Sequence, residues 1–260
     1  MNRIDPVFGP SRRKALVAYV TAGYPSFERT LEIVPRLASL GCDIIELGIP
    51  FSDPLADGIT IQEASHAALA KGATLEACLD MVCQLRRKSQ VPLVFMSYFN
   101  PVLSYGLKRF ARRSGGVGLD GVIIPDLPPE EGIELQGHLK QHGVHMIYLL
   151  APNSPARRIS LVAKRSGGFI YLVSLIGVTG ARTRLPAGLE SFVARVRKRT
   201  DRPLCVGFGI STPEEAARVA RVADGVIVGS RLVQLLARDM AESLASFVTS
   251  LRQALDSPGL

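Results

Sequence analysis

The chain has 260 residues, 47% of them hydrophobic, which suits one large or two small domains with a sizeable core. Its net charge of +8 comes from 31 basic and 23 acidic residues. The basic residues sit in short clusters (residues 11–14, 86–88, 108–113 and 195–199) without interleaved aromatics, which favours solvated helix faces over nucleic-acid binding. Cys42, Cys78, Cys83 and Cys205 form no CxxC pair, and no histidine stands at metal-ligand spacing, so neither a disulfide scaffold nor a metal centre is expected. The N-terminal stretch has no apolar core for a signal peptide, and no apolar run approaches membrane-spanning length. A cytoplasmic protein with no membrane contact is the expectation.

Taken in order, short apolar runs alternate with helical patterns. The runs are Ala15–Ala22, Cys42–Ile49, Pro92–Tyr98, Gly121–Pro125, His145–Leu150, Phe169–Leu175, Pro203–Phe208 and Gly225–Gly229. Rich in β-branched and aromatic residues without strict polar alternation, they read as parallel strands covered on both faces. Between the first two, Ser26 opens a helix that Gly41 ends. Two helices, Ile61–Lys71 and Thr74–Arg87, fill the second interval. Leu127 and the prolines after it open a helix running to His142, and Asn153-Ser-Pro opens the next. Ser211-Thr-Pro-Glu-Glu has proline at a helix-start position and acids in the first turn. A helix from Met240 to Leu255 closes the chain. Eight strand–helix alternations without a linker or composition shift predict a (β/α)₈ TIM barrel with extra helices, a single domain over residues 1–260. An open doubly wound sheet is the alternative, but no GxGxxG follows the first strand.

One strand is chemically odd. Past Asp43 at its start, the second run is apolar except for Glu46, and burying an ionised carboxylate is costly unless it is paired or neutralised. The chain then breaks at Pro50 into a loop carrying Asp53 and Asp57. A lone buried acid is more often the partner of a buried Arg or Lys, but three acids around one strand-to-loop turn favour a site.

Barrel chemistry sits at the C-terminal ends of the strands. The early ends supply acids and aromatics, among them Glu46, Tyr98 and Asn100. The late ends supply Gly209 and Gly229-Ser230, where backbone N–H groups approach an anion closely beside a helix N-terminus. The sixth loop, residues 177–184, adds Thr179 and Gly180 and has the composition of a lid. The two clusters imply a small phosphorylated substrate whose other end meets carboxylates, hence proton-transfer chemistry: a lyase, an isomerase or an aldol-type cleavage.

The stretch ELGIPFSDPLADGITIQ (residues 46–62) closely resembles the fingerprint of the tryptophan synthase α-subunit family, the indole-3-glycerol-phosphate lyases. The likeness continues through AYVTAGYP, SYFNP, VIIPDLPPEE, LVSLIGVTGAR, VGFGIST and VIVGSRLV, in order along nearly the whole chain. The resemblance implies retro-aldol cleavage of indole-3-glycerol phosphate to indole and glyceraldehyde 3-phosphate. By it, Glu46 is the general acid/base that protonates indole C3, Asp57 accepts from the indole N–H, and Tyr171 flanks the reacting carbons. Tyr19, Ile61 and Tyr98 would line the indole pocket, Gly180, Gly209, Gly229 and Ser230 would contact phosphate, and Thr179 would order the lid. No cofactor is expected in this chain. The implied partner is a β subunit carrying pyridoxal phosphate, in an α2β2 heterotetramer, that receives indole across a face containing Asp53, Pro54 and Asn100. A stand-alone lyase and a weakened activator of the β subunit are the alternatives. Two departures stand out: Ile59 replaces an expected proline, predicting a looser Asp57 loop, and Gly9-Pro10 shortens the helix expected under the barrel.

Overall fold

The computed structural model describes residues 2–9, 13–174, 188–207, 209–238 and 240–257. The elements open with β1 (Ala15–Thr21), α1 (Phe27–Ser39), β2 (Ile44–Gly48), α2 (Ile59–Ala70), α3 (Leu75–Arg86) and β3 (Leu93–Met96). Next come α4 (Phe99–Tyr105), α5 (Leu107–Val117), β4 (Gly121–Ile123), α6 (Ile133–Gln141), β5 (His145–Ile147) and β6 (Leu149–Leu150). Then follow α7 (Ala156–Arg165), β7 (Ile170–Val173), α8 (Leu189–Arg197), β8 (Leu204–Gly207) and α9 (Pro213–Ala220). β9 (Gly225–Val228), α10 (Ser230–Ala237) and α11 (Ala241–Asp256) complete the order.

All strand pairs are parallel, in the order β5-β4-β3-β2-β1-β9-β8-β7-β6. The fifth apolar run accounts for both ends of that order. It bends at Tyr148, so its first half pairs with β4 and its second with β7, and eight staves read as nine strands. This is the TIM barrel expected. Side-chain alternation divides the apolar residues into two layers. Leu16, Ala18 and Val20 of β1 and Ile45 and Leu47 of β2 face the helices. Val17 and Tyr19 of β1, Ile44 of β2 and Val94 and Met96 of β3 fill the interior. By that parity Glu46, two residues beyond Ile44, faces inward.

Ile4, from a single 3₁₀ turn (Asp5–Phe8) and its preceding residue, is fully buried beside Gly121 and Gly168 and plugs the barrel floor. Three aspartates repeat one device at this end. Asp43, Asp120 and Asp224 immediately precede β2, β4 and β9. Each accepts a backbone N–H from the neighbouring strand, of Leu16, Leu93 and Leu204 respectively, at 2.8–2.9 Å. Each also takes an arginine from a helix: Arg252, Arg86 and Arg197. The basic clusters are therefore not all solvated faces. Arg86 and Arg197 are clamps that tie helix ends to strand starts.

Most helix starts match their signals. Ser26 and Thr74 cap α1 and α3, and Thr212 with Glu215 forms a reciprocal capping box on α9. The helix expected from Leu127 instead begins at Ile133. Pro128 and Pro129 cannot donate backbone hydrogen bonds, and the residue before a proline avoids the helical region. The carbonyl of Pro128 accepts from Glu131 and Gly132 in turns before the helix can start.

Candidate active site

β2 delivers Glu46 into the barrel mouth at 1% exposure, and neither carboxyl oxygen has a hydrogen-bond partner. The buried Arg or Lys that would make it structural is not there among the described residues. Burial first, and the charge of Asp57 second, push its pKa up to about 8. At neutral pH this carboxyl is mainly protonated, an acid that retains its proton.

Asp57 comes from the loop after β2 and is held on three sides. The Tyr98 hydroxyl donates to its Oδ2 at 3.1 Å, its backbone N–H donates to the Pro54 carbonyl, and Gln62 Nε2 donates to its own carbonyl. Tyr98 accepts in turn from Ala56 N at 2.9 Å. Ile59 is the first residue of α2 and is 73% exposed, so the fastening of this loop is hydrogen-bonded and needs no proline there. Burial raises the Asp57 pKa to about 6 while the Tyr98 hydroxyl opposes the shift. Of the two acids, Asp57 is the one ionised at neutral pH.

Glu46 and Asp57 open on one cavity, together with Tyr19, Ile61, Tyr171, Gly209, Gly229 and Ser230. Eight residues singled out from the sequence thus converge. Tyr98 does not reach this wall; it stands behind Asp57 at the start of α4, and Met96 at the end of β3 takes the lining position. Thr179 and Gly180 lie outside the described residues. Asp53 is exposed and accepts from the Ser52 hydroxyl, and Pro54 beneath it is buried. Asn100 is exposed in the first turn of α4, whose N-terminus is capped by Asp126 through Phe99 N. Sequence reasoning missed Met96 and Ile227, which strand parity would have found, and Arg231 and Gln234, which follow Ser230 on α10.

Two tyrosines shape the cavity by lying over glycine. The Tyr19 hydroxyl covers Gly48 on β2 and the Tyr171 hydroxyl covers Gly207 on β8, each too closely for even a methyl group. On the far side, two helix N-termini face the cavity with different fates. At α9 the Glu215 carboxylate accepts from Ser211 N at 2.8 Å and Thr212 N at 3.2 Å, so those amides are taken. At α10 the cap is Gly229, no side chain caps the amides, and the first turn holds no acid. An anion entering the cavity therefore finds uncapped donors at α10. Gly209, with φ +78°, turns the chain between β8 and α9 in a conformation that glycine adopts without strain.

A parallel barrel whose mouth pairs a protonated with an ionised carboxyl defines a proton-transferring barrel enzyme, a class that takes in lyases, isomerases and aldol-type enzymes. Comparison with known proteins gives the rest. The family model described as tryptophan synthase alpha chain matches residues 9–256. The tryptophan synthase alpha chain of Dehalococcoides mccartyi is 54% identical over 257 residues, 98% of this chain and 100% of that one. That of Geobacter sulfurreducens is 48% identical, covering 98% and 99%. Among solved structures, tryptophan synthase subunit alpha from Legionella pneumophila has a TM-score of 0.91 at 38% identity, covering 99% of both chains. A chain of Mycobacterium tuberculosis tryptophan synthase has 0.91 at 37%, covering 98% of both. The chain belongs to the tryptophan synthase alpha chain family, and its reaction is that family's cleavage of indole-3-glycerol phosphate.

Proposed function

We propose that Glu46 carries the proton inventory of this cleavage. The protonated carboxyl gives its proton to indole C3, producing an indolenine cation that can accept the electrons of the breaking bond. The resulting carboxylate takes the proton from the adjacent glycerol hydroxyl, a C=O forms, and the carbon–carbon bond breaks. Indole and glyceraldehyde 3-phosphate leave, and Glu46 is again protonated. The observation that carries this reading is a carboxyl at 1% exposure, without a hydrogen-bond partner, facing the cavity that also holds Asp57. Ionised Asp57 accepts from the indole N–H and stabilises the positive charge that develops there. Tyr171 packs beside the reacting carbons, and Tyr19 and Ile61 hold the ring. Gly209, Gly229 and Ser230 hold the phosphate, a role supported by the uncapped amides of α10. Tyr98 is a positioning residue for Asp57.

The partner is a β subunit that brings pyridoxal phosphate, in an α2β2 assembly in the cytoplasm; this chain needs no cofactor of its own. The supporting features are exposed leucines beside the residues that the resemblance assigns to the partner face. Leu55, 84% exposed, adjoins Asp53 and Pro54, and Leu103, 52% exposed, follows Asn100 on α4. Stacking of Phe51 on Tyr98, with ring centroids 5.3 Å apart, joins this loop to the start of α4. Direct transfer suits an apolar product that would otherwise diffuse through membranes.

The test is indole release from indole-3-glycerol phosphate, with and without added β subunit. A large increase on adding the partner supports the reading. Turnover unmoved by the partner makes the chain a stand-alone lyase, and none even at saturating partner leaves only an activator.

A further inference from the structure

Resting on the phosphate reading above, we propose that Arg231 is the specificity-determining cation of this cavity: its guanidinium engages the substrate phosphate beside Ser230 and dictates which end of the substrate enters there. Among the described residues lining the cavity, Arg231 is the only basic one. The same cavity contains Glu46, buried and without a hydrogen-bond partner, and Asp57. The cavity thus has two acids among its lining and, at its α10 side, a single basic residue.

Charge matching shows what a cation adds to the amides. A phosphate monoester carries roughly −1.5 to −2 at pH 7, whereas a helix N-terminus offers the equivalent of about half a positive charge. The Ser211 and Thr212 amides at the start of α9 are already taken by Glu215, which leaves the α10 N-terminus as the uncapped one beside Ser230. Arg231 is the second residue of α10, adjacent to Ser230, exposed at the rim and in no ion pair with a described acid. A guanidinium stays protonated throughout the working pH range and grips phosphate through paired N–H donors. A cation in the first turn opposes the helix dipole, a small cost to the fold that a bound anion reverses. Ionised Asp57 repels a phosphate that enters the wrong way round, and Arg231 attracts one that enters correctly. The residue therefore acts on binding and orientation, away from the reacting carbons.

The experiment uses the full chain as wild type, Arg231→Gln and Arg231→Lys. It measures kcat and KM for indole-3-glycerol phosphate, and competitive inhibition by inorganic phosphate, by glycerol 3-phosphate and by indole. For Arg231→Gln, KM and both phosphate inhibition constants should rise about tenfold, with kcat within about twofold and indole inhibition unchanged. The salt dependence of kcat/KM should weaken, and Arg231→Lys should recover most of the loss. Unchanged phosphate inhibition in Arg231→Gln overturns the role of Arg231 alone. Indole inhibition weakening by the same factor also overturns it, since the residue would then be supporting the cavity in general. Failure of phosphate and glycerol 3-phosphate to compete with substrate in the wild type would instead sink the phosphate site itself.

Discussion

Asp120 and Glu46 are buried to nearly the same degree, 2% and 1% exposed, at opposite ends of one barrel. At the floor, Asp120 takes Arg86, Arg3 at 3.0 Å and the Leu93 N–H at 2.8 Å, so its charge is fully answered. At the mouth, Glu46 has no hydrogen-bond partner among the described residues, and burial instead answers its charge by keeping it protonated. A carboxyl with partners is a clamp and one without is a store of a proton. The difference lies in what the neighbouring elements supply, since the two side chains have the same chemistry and nearly the same burial.

The strongest way to break this contrast is Glu46→Gln, which keeps the shape and removes the exchangeable proton. Indole formation should fall by about 10³–10⁴-fold, read by single-turnover kinetics. Stability should move the other way. An acid whose pKa is raised in the fold is protonated when folded but ionised when unfolded, so stability falls as pH rises from about 4.5 to about 8. Each pH unit in that window costs about 1.4 kcal/mol, so Glu46→Gln should raise Tm by about 5–10 °C at pH 7.5 and leave it unchanged at pH 4. A variant as inactive as expected but no more stable at pH 7.5 would show that the carboxyl is answered by something else.

Asp120→Ala should do the reverse. It strands Arg86 and Arg3 and should cost about 3–5 kcal/mol in urea unfolding, while kcat and KM of the folded protein hold. Asp57→Asn comes next, with about a 10²-fold loss of kcat/KM. Wild-type kcat/KM should follow a bell, with an acidic limb near pH 6 where Asp57 ionises and an alkaline limb near pH 8 where Glu46 loses its proton. Because the two interact, the limbs belong to the pair. Asp57→Asn should abolish the acidic limb and draw the alkaline one below 8, since the Asp57 charge helps raise Glu46. The smallest effect belongs to Tyr98→Phe, about tenfold in kcat/KM at pH 7. Its acidic limb should move upward, because the hydroxyl that favours ionised Asp57 is gone. A limb that stays in place would remove Tyr98 from its positioning role.

How much of this was readable beforehand follows the same division. Glu46 announced itself as the one charged residue in a buried strand, and parity sufficed to aim it inward. The late glycines were readable only together: turn geometry explains any one of them, but Gly-rich turns recur at three consecutive late strand ends. Asp43, Asp120 and Asp224 were not, because each looks like an ordinary polar residue before a strand, and its arginine lies 27–209 positions away in the chain. Tyr98 looked like a wall of the pocket, since its end-of-strand position says nothing of a loop folding back onto its hydroxyl. The delayed start of α6 was concealed for a local reason: acids after a proline suggest a helix N-terminus, but two prolines in succession and the turn they force postpone it.

Gly48 and Gly207 bear on any attempt to change what this enzyme accepts. With Tyr19 and Tyr171 laid directly upon them, there is no side chain behind either aromatic ring left to trim. Room for a bulkier heterocycle must come from shortening the tyrosines themselves. Enlarging either glycine would drive a phenol into the space the indole needs, and selection for a smaller ligand would find those two positions first.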